Sequence, residues 1–317
     1  MRDNSRHVGS LERVHWLKTS SAFREIPPAD LAVVAQHATE RLFRRRSALS
    51  VKGEPVSSVR LVVEGRVRVT RDGEPTYITP GETLGVLEVC ADDDELEAVA
   101  ETETLTLSVS GDVFLDLLED NFAIFHQLLR RICAMRIEQG GDLFADAHAG
   151  DVSRYSSIPR ARELDLVERI MFLRRCFPFA RGRLSALAEL SHHVTEVHFE
   201  PRAPIWEEGD PSGHLLMVVR GGIACTPPGA REPFRYGPEG ATGTLEAVAS
   251  QPRWFSARAE DGGLQALRLD VEHLLDVFED NFEMARGYLR YVSQQALGTL
   301  RPQAPVSRRF APRATGT

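Results

Sequence analysis

The sequence predicts a mainly β protein with flanking helices, built as two tandem jelly-roll barrels of the double-stranded β-helix, RmlC-like kind. Three observations point there. The chain repeats itself once. Each repeat holds many short β-rich runs punctuated by turn residues. Each repeat also begins and ends in helical periodicity.

The repeat is the strongest signal. LERVHWLKTSSAF (11–23) lies over VERIMFLRRCFPF (167–179), an offset of 156 positions that holds without a gap for over fifty residues. Leu31 falls on Leu187, Phe43 on Phe199, Gly53 on Gly209 and Gly65 on Gly221. The offset becomes 158 where Gly85 meets Gly243, and 160 where Glu119-Asp-Asn-Phe122 meets Glu279-Asp-Asn-Phe282. Small drifts of this kind are changes in loop length. A period this long means two copies of one domain, 11–140 and 163–300.

Each copy opens with an amphipathic helix, as at Leu164, Val167, Ile170, Met171 and Leu173. A second helix follows, PADLAVVAQHA in copy one, with Pro28 suited to the first turn and Asp30 to the positive helix end. Strands come next: RLVVEG, RVRVT, PTYI, EAVAE and TLTLSV in copy one, and HLLMVV, IACT, PFRY, FSARAE and LQALRL in copy two. Helices close both copies. Residues 141–162, rich in Gly, Ala, Ser and Asp, read as a linker. Residues 301–317, rich in Arg and Pro, read as a disordered tail.

Composition narrows the function. The formal net charge of −8 argues against a nucleic-acid binder, which needs a basic face. No run is long enough for a signal peptide or a membrane span, so the expectation is a cytoplasmic protein without membrane or nucleic-acid partners. The four cysteines, Cys90, Cys133, Cys176 and Cys225, are scattered and form no zinc-ligand spacing.

The layout of helix, eight strands and two helices resembles the cyclic nucleotide-binding domain. The frame that opens the family's barrel reads FRRRSALSVKGE (43–54) and FEPRAPIWEEGD (199–210) here, with Arg46 and Arg202 where the family has a turn glycine. The strand-glycine-strand step matches in VVEGRVRV and VVRGGIAC. The turn before the phosphate-binding cassette matches well in PGETLG (80–85) and partly in PEGATG (238–243). The resemblance covers both copies.

In that family the cassette is a short helix whose free N–H groups favour an anion. An arginine binds the cyclic phosphate and a glutamate takes the ribose 2′-hydroxyl. Copy two aligns without a gap: Gly243, Leu245, Pro252 and Arg253 match, and Thr244 stands at the ribose glutamate. The resemblance thus implies a ligand site of Gly243, Thr244, Leu245, Glu246, Arg253 and Trp254, with cAMP or cGMP as the ligand to test. Trp254 and Phe255 replace two small residues; they either fill the pocket or stack on a base. Glu246 either substitutes for the ribose contact or shares a structural role with its twin Glu88, and the second reading is favoured. Copy one departs further. Val86 replaces the glutamate, and the arginine position falls within Asp92-Asp-Asp-Glu95, where carboxylates repel phosphate.

Other constellations carry less. HHVTEVH (192–198) suggests a metal on a strand face, but the copy-one equivalent lacks the third histidine. A cupin enzyme needs a His-x-His pair, and none occurs. FRRRSAL resembles a kinase site at Ser47, but both copies place it in the first barrel strand. No nucleophile elbow, P-loop or HExxH is present, so neither catalytic nor metal residues are assigned. No helix-turn-helix follows the last helix.

The last helix has apolar residues at Phe278, Phe282, Ala285, Leu289, Val292 and Ala296, a coiled-coil seam. It serves either a homodimer or lid through 278–296, or packing on its own barrel. The expectation is a non-enzymatic, cyclic-nucleotide-sensor-like regulatory protein that relays through this helix to an unknown protein partner. The alternative is a ligand-free interaction scaffold of two degenerate barrels. The tandem layout is similar to that of protein kinase A regulatory subunits, without their long N-terminal docking region, so kinase inhibition is not implied.

Overall fold

Arg13 and Arg169, one repeat length apart, do the same job. Arg13 Nη1 donates to the Ala38 carbonyl at 2.9 Å, and Arg169 Nη1 donates to the Val194 carbonyl at 3.2 Å. Each arginine ties the opening helix of its copy to the start of the first strand. The computed structural model describes residues 9–140 and 163–298, apart from 21, 25, 72, 74, 177, 178, 180, 181 and 231. The linker at 141–162 and the tail at 301–317 lie outside the described residues.

Copy one begins with α1 (Ser10–Thr19) and α2 (Pro28–His37), with Pro28 in the first turn as expected. Its strands are β1 (Thr39–Phe43), β2 (Ala48–Ser50), β3 (Ser58–Glu64), β4 (Val67–Thr70), β5 (Pro75–Ile78), β6 (Thr83–Leu84), β7 (Glu97–Ala100) and β8 (Thr104–Ser110). They form two antiparallel four-stranded sheets, ordered β1-β8-β3-β6 and β2-β7-β4-β5. Between β6 and β7 sits the cassette helix α3 (Val86–Ala91), and α4 (Gly111–Asp120) and α5 (Phe122–Glu138) follow β8.

Copy two repeats this with α6 (Leu166–Leu173), α7 (Leu184–His193), β9 (Thr195–Phe199), β10 (Pro204–Trp206), β11 (His214–Thr226), β12 (Phe234–Tyr236), β13 (Ala241–Thr242), α8 (Thr244–Ala249), β14 (Ser256–Asp270), α9 (Val271–Asp280) and α10 (Phe282–Ala296). Asp165 and Glu168 form a capping box on α6. Strands that are separate in copy one run on here: β11 and β14 each span both halves of the jelly roll and join them into one six-stranded sheet. The fold class is the expected mainly β jelly roll with flanking helices.

The opening frame corrects one reading. Ser47 is not inside a strand; it closes the turn between β1 and β2. That turn needs a left-handed residue, and arginine supplies it without glycine: φ is 69° at Arg46 and 62° at Arg202. Such a φ is uncommon for a side chain of this size and stores strain. HHVTEVH is corrected too. His192 and His193 end α7, so they share no strand face with His198. Among the described residues, no group of His, Cys, Asp and Glu is placed to hold a metal. No described helix is long and apolar enough to cross a membrane.

The seam expected on one helix over 278–296 spans two, with Phe278 on α9 and the rest on α10 beyond Asn281, and it is filled from within the chain. Phe278, Ala285, Leu289 and Val292 are fully buried. The helix α10 packs chiefly on α3 and α5 of copy one and on the neighbouring α9 of its own copy.

Candidate functional site: two cassettes closed from within

The cassette of copy two starts at Gly243, which caps α8 with φ 88°. A side chain there would place its Cβ 2.6 Å from Arg253 Nη1, so the close approach requires glycine as well as the positive φ. Thr244 opens the helix and is half-buried, while Leu245 points into the core. Pro252 then turns the chain so that Arg253 lies under α8. The Gly209 N–H donates to the Arg253 carbonyl, and the Arg253 N–H to the Asp210 carbonyl, both at 2.8 Å.

The Arg253 side chain is 1% exposed. Nη1 donates to Glu246 Oε1 at 3.1 Å and to the Gly243 carbonyl at 3.1 Å. Nη2 donates to the His214 carbonyl at 2.6 Å. The guanidinium carbon lies 4.0 Å from the centroid of the Trp206 ring, a cation–π contact. Burial lowers the Arg253 pKa, against the attraction of Glu246. The pair is charge-assisted and shielded from water, so it is strong in place and costly to break.

Aromatic side chains fill the space beside it. Trp206 Nε1 donates to the Phe255 carbonyl at 3.1 Å, and the two rings pack at 5.7 Å. Phe255 is 1% exposed. Trp254 is half-buried, stacks on Phe234 at 5.9 Å and meets Phe255 edge-on at 4.9 Å. These rings with Tyr236 form a hydrophobic core separate from that of the rest of the molecule.

Copy one pairs its buried charges by another route, one arginine against two carboxylates. The Gly53 N–H donates to the Asp94 carbonyl, as the Gly209 N–H does to Arg253, so Asp94 takes the backbone place of the arginine. Its side chain is exposed. The buried carboxylate is Asp93, one residue earlier. Arg71, on the turn after β4, forks onto it with Nη1 at 3.1 Å and Nη2 at 2.6 Å, and Nη2 reaches Glu88 at 3.3 Å. Burial works against the Arg71 charge, but Asp93 and Glu88 raise its pKa. Burial also raises the Glu88 pKa, with Arg71 pulling the other way.

The structure therefore brings Gly243, Glu246 and Arg253 together, with Thr244 and Leu245 on the same short helix and Trp254 among the rings. Glu246 and Glu88 share the structural role that their twin positions suggested: each holds an arginine. Sequence reasoning missed Arg71, Trp206 and the His214 carbonyl. Trp206 had a readable signal, an apolar residue on a short strand before the Gly-Asp turn. Arg71 had none, because the residue aligned with it in copy two is Pro227.

Residues 40–121 match the family model of the cyclic nucleotide-binding domain. The match falls wholly within copy one, from β1 to the end of α4. Copy two repeats the framework of that domain, with its own cassette. No curated protein matches the chain. Among solved structures, the regulatory domain of Toxoplasma gondii PKA with cAMP is 15% identical over 90% of this chain and 97% of that one, with a TM-score of 0.33. The regulatory subunit of a cAMP-independent protein kinase A from Trypanosoma brucei is 14% identical over 94% of each chain, with a TM-score of 0.36. A cyclic nucleotide-binding-like protein from Brucella abortus is 24% identical over 34% of this chain and 98% of that one, with a TM-score of 0.30.

Proposed function

We propose that the chain is a non-enzymatic regulatory scaffold whose two cyclic nucleotide-type cassettes work without a cyclic nucleotide. One observation carries this reading: the charge of the Arg253 guanidinium is already paired, and both terminal nitrogens have acceptors, with only the buried Nε left without one. Glu246 supplies the negative charge that a cyclic phosphate would bring, two carbonyls take further donors, and Trp206 covers the face. A phosphate that captured Arg253 would leave the Glu246 carboxylate buried and unpaired. Breaking a buried pair in this way costs about 3–5 kcal/mol, a loss in affinity between roughly 10²-fold and several thousand-fold. Thr244 offers no carboxylate to the ribose in return. In copy one the cassette loop is itself acidic, and Arg71 is already shared between Asp93 and Glu88.

A second reading keeps a ligand in copy two. Trp254 is half-buried and lies flat on Phe234, which makes it a platform for a nucleobase. In that reading cAMP or cGMP displaces Glu246, and Gly243, Thr244, Leu245, Glu246, Arg253 and Trp254 form the site. The partner in either reading is another protein.

Thermal unfolding of the full chain with and without millimolar cAMP or cGMP separates the two. A ligand at a hundred times its dissociation constant adds about 2.7 kcal/mol to stability. The scaffold reading expects no shift in the wild type. A shift that disappears in Arg253→Ala would overturn it and establish the sensor.

A further inference from the structure

The last helix of each copy leaves its own jelly roll. The helix α5 of copy one packs on α8, the cassette helix of copy two, and α10 of copy two packs on α3, the cassette helix of copy one. The polar contacts mirror each other. Arg130 Nε donates to the Ala249 carbonyl, at the end of α8, at 3.2 Å. Gln294 Nε2 donates to the Ala91 carbonyl, at the end of α3, at 3.1 Å, and Arg290 lies 3.4 Å from Asp92, the next residue. Arg130 and Arg290 are 160 positions apart, the offset of the repeat at its end. Each brings a cation to the negative end of the other copy's cassette helix.

The two exchanged helices also meet each other. Phe125 of α5 packs edge-on against Phe282 of α10, with centroids 5.6 Å apart. Leu129, Leu289 and Val292 are fully buried. Both cassette helices and both closing helices belong to one continuous core, from which the interior of the copy-two jelly roll stands apart.

We propose that the chain is a built-in dimer with exchanged lids, and that the exchange couples the two cassettes. A shift of α8 removes the surface on which α5 rests. The helix α5 bears on α10 through Phe125 and Phe282, and α10 bears on α3. The path α8–α5–α10–α3 is a series of direct contacts, and by linkage it runs equally in the other direction. This coupling does not depend on whether a nucleotide binds.

Hydrogen exchange on the full chain tests it. Glu246→Gln weakens the hold on Arg253 within copy two while keeping the side-chain shape. It should speed amide exchange in α3 of copy one by about 2- to 10-fold, the effect of losing one ordinary hydrogen bond. Adding Arg290→Ala and Gln294→Ala, which cut the contact of α10 with α3, should abolish the response of α3 to the copy-two substitution. Faster exchange in α8 with α3 unchanged would overturn the coupling. If Glu246→Gln fails to fold, Arg130→Ala replaces it, because Arg130 is half-buried and lies outside both cassettes; α8 should then open faster while the strands of copy one hold. A protease site placed within 141–162 tests the exchange itself. The cut protein should remain one particle of the uncut size, and separation into halves would overturn the built-in dimer.

Discussion

The two cassettes share a helix of the same length, capped by a glycine at φ 90° in copy one and 88° in copy two. They share a glutamate on that helix, Glu88 or Glu246. They differ in where the opposite charge comes from. In copy two the cation is on the cassette loop itself, and Trp206 seals it. In copy one the loop supplies a second carboxylate, and the cation arrives from a hairpin. What the two have in common is a buried ion-paired cluster built around the glutamate, with one arginine against one carboxylate in copy two and against two in copy one. A low-dielectric site requires that each buried charge meet a partner of opposite sign and leaves open which segment supplies it.

The sharpest way to break this comparison is to remove one charge from each cluster. Glu246→Ala leaves Arg253 buried without its carboxylate and should lower unfolding stability by about 3–5 kcal/mol. Arg71→Ala should cost less, about 1–3 kcal/mol, because the Arg71 side chain is 17% exposed and water reaches the orphaned carboxylates. Urea denaturation of both variants checks the order. Equal losses would mean that the copy-two pair is no better sealed than its counterpart.

Acid sharpens it next. Burial, with the charges of Arg253 and Arg268, pulls the His214 pKa down to about 4, while Asp270 opposes them. The folded state therefore binds fewer protons than the unfolded chain between the ordinary value of 6.5 and about 4. Stability is present above that window and is lost as the pH falls through it. The ring is half-exposed and solvent screens it, so the loss is about 1–2 kcal/mol. His214→Gln should flatten the fall in a series of denaturation curves between these pH values. Glu88 works in the opposite sense: its raised pKa gives stability below the ordinary carboxylate value of 4.5, lost as the pH rises through the folded value. A fall that persists in His214→Gln would place the acid sensitivity outside cassette two.

The smallest effect concerns the turn before each cassette. Copy one has Gly81 there at φ 90°, whereas copy two holds Glu239 at φ 71°. Glu239→Gly should relieve strain and raise stability by about 0.5–1 kcal/mol, since the left-handed cost exceeds the entropy that glycine brings. A loss of stability, measured in the same way, would show that the Glu239 side chain contributes more than its backbone costs.

Much of the fold was legible in the sequence, for reasons these residues show. Gly53 on Gly209 and Gly85 on Gly243 mark turns that only a few residues can make, so the repeat could be aligned across them. Arg46 and Arg202 kept the turn although glycine was absent, because the surrounding strands impose the φ. The place of Arg253 was readable, since it lies on a loop of fixed length after the cassette helix. Its engagement was not, because Trp206 and the His214 carbonyl approach from strands 39 or more positions away. The seam of α10 was readable as an apolar face. Periodicity tells which face is covered and is silent about what covers it, so the crossing to α3 had to come from the structure.

That crossing has a consequence in time. The contact between Gln294 and Ala91 spans 203 positions of chain. At ribosomal speeds of about 5–20 residues per second, α3 leaves the ribosome roughly 10–40 s before the helix that covers it has been made. During that interval copy one carries an open apolar face, and a nascent chain arrested between the copies would present it to chaperones or to its neighbours on the same messenger.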